Sequence, residues 1–196
     1  MSQECIRHHD LVIIGGGGAG LSAALYAVRA RIDTLLLEAR IIGGQLLNAD
    51  IIENYPGFPE GIMASDLVAL MDRQARRFGL EVERAEVELL QPRDGDFLLQ
   101  TSIGDICGKA VIIATGGHHK HLGVPGEREL AGRGISYCAT CDGPLYRGKT
   151  LAVVGGGNTA VDEAIFLSHL AKKVYLIHRR DELRAEKILQ ERAFAR

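Results

Sequence analysis

Hydrophobic and polar positions along the chain follow two different spacings, and each spacing predicts a type of element. Short, unbroken apolar runs are typical of strands that are buried on both faces. In the first part of the chain, the predicted strands are residues 11–14, 34–37, 80–90, 97–103 and 109–114. Apolar residues that return every three or four positions predict helices at 19–31 and 65–78. Strands that alternate with helices indicate an α/β fold.

The second part of the chain repeats the opening strand–helix–strand pattern. A strand at 150–154, a helix at 159–170 and a strand at 173–177 follow one another in the same order. The sequence therefore predicts an α/β protein with two Rossmann-like dinucleotide-binding domains of the three-layer ββα type. We place the first domain at residues 1–117 and the second at residues 118–196, and we expect the second to be incomplete.

Each repeat carries a glycine pattern where its first strand meets its helix. The first pattern is GxGxxG and the second is GxGxxA. Glycines here let the backbone approach a pyrophosphate, and the helix N-terminus offers it free N–H groups. The alternative is a glycine-rich turn without a ligand, which the register of strand, helix and second strand argues against. The candidate phosphate-binding residues are Gly15, Gly17, Gly18, Ala19 and Gly20 in the first repeat, and Gly155, Gly157, Asn158, Thr159 and Ala160 in the second.

The residue that ends the second strand differs between the repeats. Glu38 stands at this position in the first repeat, and His178, followed by Arg179 and Arg180, stands there in the second. A carboxylate suits a free ribose hydroxyl, whereas histidine and arginine suit a 2′-phosphate. Arg184, which we place on a helix opened by Asp181, adds another cation. The first site therefore indicates FAD or NAD and the second NADPH, although a solvated basic patch is the alternative for the second.

Two cysteines with redox spacing lie between the nucleotide patterns. Cys138 and Cys141 form a CxxC, whose thiols are close enough to form a disulfide and to alter each other's pKa. Zinc is disfavoured because Cys5 and Cys107 are far apart in sequence, and we interpret these two as a surface thiol and a packing residue. Asp142 is a candidate acid/base for a leaving thiolate, or else caps the following turn. A flavin passes the two electrons of NADPH to a disulfide, which favours FAD at the first site.

A cluster of histidines follows the last strand of the first domain. His118, His119 and His121 have no carboxylate or thiol at metal-ligand spacing, so we interpret them as a solvated connector. We predict no metal site in this chain.

Composition and charge argue against two classes of partner. The net charge is −2, tryptophan is absent and aromatic residues make up 5% of the chain, so no nucleic-acid or anionic-membrane surface is indicated. The N-terminus is polar, without the apolar core of a signal peptide, and no apolar run is long enough to span a membrane. These features predict a cytoplasmic protein.

Together, these motifs make the sequence similar to low-molecular-weight thioredoxin reductases along its whole length. The matching segments are Glu38 and residues 43–45, 53–57, 114–116, 138–143, 155–160 and 178–181, of which 138–143 and 178–181 are the most specific. The resemblance implies a homodimeric flavoprotein that reduces thioredoxin or a thioredoxin-like protein with NADPH. It implies that Gly44, Gln45, Asn54, Thr115 and Gly116 lie near FAD, and that Asp142 is the acid/base beside the Cys138–Cys141 disulfide.

The sequence departs from this family at three places. The histidine-rich residues 118–121 are unlike the segment that family members have there. Gly18 stands where family members usually have proline. The chain stops at Arg196, before the return to the first domain that family chains make, so we expect a C-terminally truncated chain. Two alternatives follow: a catalytically incompetent nucleotide-binding fragment, or a related flavoprotein disulfide reductase that serves another thiol partner.

Overall fold

The computed structural model describes residues 5–117 and 119–196. The chain divides into two compact units, one on each side of the 118–119 peptide bond. The strands are β1 Arg7–Ile14, β2 Thr34–Glu38, β3 Ile51–Ile52, β4 Ile62–Met63, β5 Glu81–Arg84, β6 Val87–Pro92, β7 Phe97–Thr101, β8 Gly104–Ile113, β9 Thr150–Val154 and β10 Lys173–Ile177. The α-helices are α1 Gly18–Arg29, α2 Ala64–Arg76, α3 Ala139–Asp142, α4 Asn158–Ser168 and α5 Lys187–Phe194. Short 3₁₀ helices cover Gly44–Asn48 and Gly143–Tyr146.

A six-stranded sheet organises the first unit, in the order β5-β2-β1-β8-β7-β6. The first four strands of that order are parallel, and β7 and β6 are antiparallel to their neighbours. Ile13 and Leu36 pack with α1 and α2 on one face, while Val12 and Leu35 pack with residues of β7 and β8 in a second cluster. All four side chains are fully buried. The α/β fold class with a parallel sheet is thereby confirmed.

The apolar run at 80–90 was predicted as one strand and is two. The chain leaves the sheet after β5, passes the buried Ala85 and re-enters as β6 on the opposite edge. Both segments have strand-like composition, so the run itself carries no mark of the break. β8 begins at Gly104, earlier than the predicted strand at 109, because its first half pairs with β7.

Cys5 and Cys107 contradict our interpretation of them as a surface thiol and a packing residue. The two form a disulfide whose Cα atoms lie 5.7 Å apart. The physical reason is the parallel pairing of β1 with β8, which sets His8 opposite Cys107 and brings the start of β1 beside it. A contact between residues 102 positions apart depends on that pairing, which the cysteine spacing does not reveal.

The second unit is built on the parallel pair β9 and β10. Its core contains Val153, Ala164 and Leu167, and α3 adds Ala139 to it. The predicted helix that opens at Asp181 is wrong, because residues 181–186 are irregular and α5 begins at Lys187. Throughout the described residues of both units, no helix combines the length and the apolar character that crossing a membrane requires.

Candidate functional site

The first glycine loop joins β1 to α1, and its three pattern glycines have different surroundings. Gly15 has φ +107°, and a Cβ on it would lie 2.4 Å from the Ala114 carbonyl oxygen. A Cβ on Gly20 would lie 1.8 Å from the Gly15 carbonyl oxygen. Gly17 is open by contrast, because the nearest atom to a Cβ there is the Gly43 oxygen at 3.9 Å. Gly15 and Gly20 thus permit the tight turn and the close helix, while the backbone at Gly17 is left accessible to a ligand.

Glu38 is fixed beside this loop at the end of β2. Its Oε2 accepts a hydrogen bond from the Gly16 amide at 2.7 Å, and its Oε1 accepts one from the Arg40 amide at 2.8 Å. Each carboxylate oxygen has a second lone pair, so both can still accept from ribose hydroxyls. The position therefore fits the predicted role of Glu38 toward a ribose.

Most of the residues that the resemblance places near FAD lie against the first glycine loop. The Gly43 amide donates to the Gly16 oxygen at 2.8 Å, and the Gln45 side-chain amide donates to the Gly117 oxygen. A Cβ on Gly44 would lie 3.5 Å from Gly17, and one on Gly15 would lie 3.2 Å from the Cα of Thr115. Gly44, Gln45, Thr115 and Gly116 therefore meet the glycine loop where β1 and β8 end.

Asn54 lies in a different feature of the first unit. The loop of residues 53–59, which contains it, lines a shallow cavity of about 360 Å³ of its own. Its predicted place near FAD remains a prediction.

The second glycine loop joins β9 to α4 in a similar way. The Gly155 amide donates to the Ile177 oxygen at 2.9 Å, and a Cβ on Gly155 would lie 2.5 Å from the Cβ of Ala160. The His178 ring packs against the loop, at 2.6 Å from where a Cβ on Gly156 would stand. Its Nε2 atom is buried and has no hydrogen-bond partner among the described residues. A buried polar atom in this state fits a ligand that supplies the missing partner.

The basic residues after β10 have separate positions. Arg179 and Arg180 are exposed, directly after His178. Arg184 precedes α5, and its amide donates to the Gly156 oxygen at 2.6 Å, which holds this segment on the glycine loop. Arg184 therefore adjoins the second nucleotide loop although the predicted helix is absent.

Asn158 braces the same region from the start of α4. Its side-chain amide donates to Glu186 at 2.9 Å and accepts from the Glu186 backbone amide at 2.8 Å. These two bonds hold the Asn158 side chain against the segment before α5, while its backbone amide lies at the start of α4, where it can face a phosphate.

The CxxC pair is a disulfide at the start of α3, with Cα atoms 5.3 Å apart. The Cys138 Sγ accepts a hydrogen bond from the Cys141 amide at 3.2 Å and lies 3.4 Å from the Thr140 hydroxyl. Both groups would stabilise a thiolate on Cys138 more than a thiol. Cys141 is exposed, whereas Cys138 is half-buried.

Asp142 ends α3 and is half-buried. Its backbone amide donates to the Cys138 oxygen at 3.1 Å. Its side chain makes no capping hydrogen bond to the 3₁₀ helix that follows, so the turn-capping alternative is not what the structure shows. The acid/base role remains a prediction.

Sequence reasoning missed Glu163, which positions the redox pair from α4. Its Oε1 accepts a hydrogen bond from the Ala139 amide at 3.2 Å. Burial raises the pKa of the Glu163 carboxyl, and the Ala139 amide partly offsets that rise. The available signal was an acidic residue next to the apolar stripe of a helix, a pattern that surface helices also show.

A second missed group is centred on the buried carboxylate of Glu127. The Leu122 and Gly123 amides donate to it at 2.8 and 2.7 Å, and the Tyr137 hydroxyl donates at 2.8 Å. The Leu122 amide, then the Tyr137 hydroxyl and the Gly123 amide, lower the pKa of Glu127 to about 2.

His119 and His121 contact this group. The His119 ring stacks on Tyr137 at 3.7 Å between centroids, and His121 Nδ1 lies 3.0 Å from the Tyr137 hydroxyl. Both histidines are exposed, and both contact Tyr137, which directly precedes Cys138 in the chain. His118 lies outside the described residues.

Comparison with known proteins agrees with these features. The family model described as pyridine nucleotide-disulphide oxidoreductase matches residues 9–195. Thioredoxin reductase of Bacillus subtilis is 46% identical over 194 residues, which cover 99% of this chain and 60% of that protein. Thioredoxin reductase of Treponema pallidum is 47% identical over 184 residues, covering 94% of this chain and 60% of that protein. The chain thus spans about 60% of the length of the curated relatives it matches.

Solved structures give the same result. The crystal structure of Lactococcus lactis thioredoxin reductase in its FR conformation superposes with a TM-score of 0.93 at 42% identity, covering 96% of this chain and 62% of that one. The thioredoxin reductase of T. acidophilum superposes with a TM-score of 0.91 at 37% identity, with the same coverage of both chains.

Proposed function

This chain belongs to the pyridine nucleotide-disulphide oxidoreductase family, and we propose that it is an NADPH-dependent flavoprotein disulfide reductase that acts on thioredoxin or a thioredoxin-like protein. The observation that carries the proposal is the Cys138–Cys141 disulfide, which lies in the same compact unit as the second nucleotide loop. The relatives reported above are named thioredoxin reductases, which supports the choice of partner.

Residues 1–117 form the proposed FAD-binding domain. The open backbone at Gly17 and the start of α1 at Gly18 offer N–H groups to the pyrophosphate. Glu38 offers its carboxylate to the ribose, and the wall formed by Gly44, Gln45, Thr115 and Gly116 adjoins the same loop. With Asn54, these residues are the proposed FAD contacts.

Residues 118–196 form the proposed NADPH-binding domain, which also carries the redox pair. The N–H groups of residues 157–160 face the pyrophosphate, and the 2′-phosphate is bound by His178, Arg179, Arg180 and Arg184. The buried, unpartnered Nε2 of His178 supports this assignment, because a phosphate oxygen would accept its hydrogen.

When bound, FAD supplies two-electron chemistry between a nicotinamide and a disulfide. The overall reaction consumes NADPH, a proton and a disulfide, and yields NADP⁺ and two thiols. Once the Cys138–Cys141 pair is reduced, the Cys138 thiolate is held by the Cys141 amide and the Thr140 hydroxyl. We assign Cys138 as the nucleophile for this reason.

Exchange with the partner proceeds in two steps that balance. The Cys138 thiolate attacks one sulfur of the partner's disulfide, forming a mixed disulfide and expelling a thiolate that takes a proton from Asp142. The Cys141 thiol then gives its proton to the Asp142 carboxylate and attacks the Cys138 sulfur, which restores the intramolecular disulfide and expels the second partner thiolate, and that thiolate takes a proton from solvent.

NADPH oxidation by the FAD-supplemented chain in the presence of oxidised thioredoxin tests the proposal. Turnover is expected for the wild type and is lost in Cys138→Ser and Cys141→Ser. Cys5→Ser is the matched control, because it makes the same substitution outside the redox pair and retains turnover. Cys141→Ser additionally traps a mixed disulfide between Cys138 and the partner.

Other outcomes identify the alternatives. Reduction of a small aromatic disulfide but not of thioredoxin would indicate a reductase for another thiol partner. Failure to retain FAD would indicate a nucleotide-binding chain without reductase activity. The homodimer that the resemblance implies is tested separately by light scattering.

A further inference from the structure

Four potential metal ligands meet in the first unit, away from both glycine loops. Ligand atoms of His8, Asp96 and Cys107 all lie within 4.8 Å of one another. The Cys5 sulfur joins them through its bond to Cys107. The residues come from three adjoining segments: the start of β1, the turn before β7, and β8.

This set of two sulfurs, one imidazole and one carboxylate matches the ligands of tetrahedral zinc sites. Zinc binds sulfur at ~2.3 Å and nitrogen or oxygen at ~2.0–2.2 Å, so two ligand atoms on one ion are never more than about 4.6 Å apart. The observed cluster therefore needs only small side-chain rotations to surround an ion. Two thiolates on zinc stand roughly 3.7 Å apart at the tetrahedral angle, so the disulfide and the zinc site exclude each other.

We propose that reduction of the Cys5–Cys107 disulfide creates a zinc site whose ligands are Cys5, His8, Asp96 and Cys107. Two equivalents of a low-molecular-weight thiol supply the electrons: the protein disulfide becomes two thiols, and the reductant leaves as its own disulfide. Zn²⁺ then replaces the two thiol protons, which pass to solvent.

The charges around the cluster balance such a site. Two thiolates, one carboxylate and a neutral imidazole around Zn²⁺ leave one excess negative charge. The Arg93 guanidinium lies 3.9 Å from the Cys5 sulfur and 3.8 Å from the Cys107 sulfur, where it offsets that charge and donates to the thiolates. Donors next to the ligands in this way orient a site and tune its affinity.

A cavity gives the ion a route to the cluster. It has a volume of about 400 Å³, and four aspartates, Asp10, Asp33, Asp94 and Asp96, contribute to its lining. Asp10 is paired with Lys109 at 2.6 Å and Asp33 with His9 at 3.1 Å. Asp96 belongs to the ligand cluster, and its backbone is held by a bond from the Arg93 amide to its carbonyl oxygen at 2.8 Å.

The disulfide-bonded form and the zinc-bound form both link the segment before β1 to β8. The N-terminal end of β1 therefore remains attached to the centre of the sheet under oxidising and reducing conditions. The proposal does not depend on the reductase activity, because the redox pair of the second unit takes no part in it.

Metal binding is measured in a Cys138→Ser/Cys141→Ser background, so that only Cys5 and Cys107 contribute thiols. The chain is reduced with a phosphine, desalted without oxygen and titrated with Co²⁺, which reports thiolate ligation through charge-transfer absorption. Zn²⁺ is then added against a chromophoric chelator. We expect one equivalent of zinc to displace cobalt from the reduced chain, and no stoichiometric binding to the same chain with its disulfide intact.

Variants assign the ligands. Cys5→Ser and Asp96→Asn should weaken zinc binding by more than about 100-fold, because loss of a group that only supports a ligand already costs 10–100-fold. Asp94→Asn is the matched control, since Asp94 lines the same cavity outside the ligand cluster, and it should bind as the parent does.

Two results would overturn the proposal. One is a reduced chain that takes up no more zinc than the oxidised chain, a comparison that needs no ligand variant to fold. The other is equal zinc affinity in Asp96→Asn, Cys5→Ser and Asp94→Asn, which would show adventitious binding to surface carboxylates.

Discussion

Replacing Gly20 and Gly17 with alanine should separate the stability of the first unit from its capacity to bind FAD. Gly17 lies in the loop before α1 and Gly20 in the first turn of α1, and both substitutions add a single methyl group. The Cβ at position 20 would stand 1.8 Å from the Gly15 carbonyl oxygen, whereas the nearest atom at position 17 is 3.9 Å away. The backbone at Gly17 has φ −74°, which alanine adopts without strain.

The loss of stability in Gly20→Ala can be estimated from the backbone shift that the added methyl group requires. A separation of 3.0 Å is the least that real Cβ atoms show, so the α1 backbone must shift by about 1.2 Å from the Gly15 loop. The Gly15 amide is bonded to the Leu37 oxygen at 2.8 Å, and the Leu21 amide to the Gly17 oxygen at 2.9 Å, so neither side yields easily. Overpacking a core typically lowers the free energy of unfolding by about 1–3 kcal/mol. Because this clash is with backbone, we expect a loss of about 3 kcal/mol or more. At roughly 4 °C per kcal/mol for a unit of this size, Gly20→Ala should lower the Tm by about 12 °C or more.

Thermal unfolding by circular dichroism without FAD, followed by FAD titration of the folded variants, tests this reasoning. Gly17→Ala should unfold within about 1 kcal/mol of the wild type. It should nevertheless bind FAD at least about tenfold more weakly, because its methyl group occupies the space into which the pyrophosphate approaches. Equal destabilisation by the two variants, or a Gly20→Ala chain as stable as the wild type, would refute the steric argument.

Four further substitutions, at Gly156, Glu127 and Glu163, test the second unit. Gly156→Ala should displace the His178 ring, which lies 2.6 Å from the added methyl, and weaken NADPH binding by about tenfold or more while FAD binding is unchanged. The pKa of the Glu127 carboxyl is lowered to about 2. The ionised carboxylate therefore stabilises the fold fully above the ordinary pKa of 4.5, and this contribution is lost as pH falls toward 2. The Tm should fall more steeply over that range in the wild type than in Glu127→Gln. Burial raises the pKa of Glu163, so at pH 7 Glu163→Gln should be at least as stable as the wild type, whereas Glu163→Ala leaves the Ala139 amide without its acceptor and should lose about 1–3 kcal/mol.

The regular elements were predictable because their signals are local. Residues 150–154 and 173–177 are strands with the predicted bounds, since each is a short apolar run with glycine or charged residues at its ends. Gly44, Gln45, Thr115 and Gly116 were expected near one another through resemblance rather than from spacing, and their contact with FAD remains a prediction.

The features that escaped prediction depend on contacts between distant segments. The Cys5–Cys107 disulfide requires the β1–β8 pairing, and the break in 80–90 requires knowledge of which sheet edge each half joins. The role of Glu163 depends on α3 docking against α4, which the sequence of α4 alone does not record. Arg184 reaches the second loop through backbone bonds to Gly156 instead of through the predicted helix.

The most direct measurement is thiol trapping after anaerobic addition of NADPH to the FAD-supplemented, desalted chain. Mass spectrometry of the alkylated peptides reports which cysteines have been reduced, and flavin absorbance is followed in the same sample. We predict loss of the oxidised-flavin absorbance and alkylation of both Cys138 and Cys141, with no alkylation of this pair when FAD is omitted. A chain that retains FAD and binds NADPH while the Cys138–Cys141 disulfide stays intact, or one that loses all FAD on desalting, would contradict the proposed electron path.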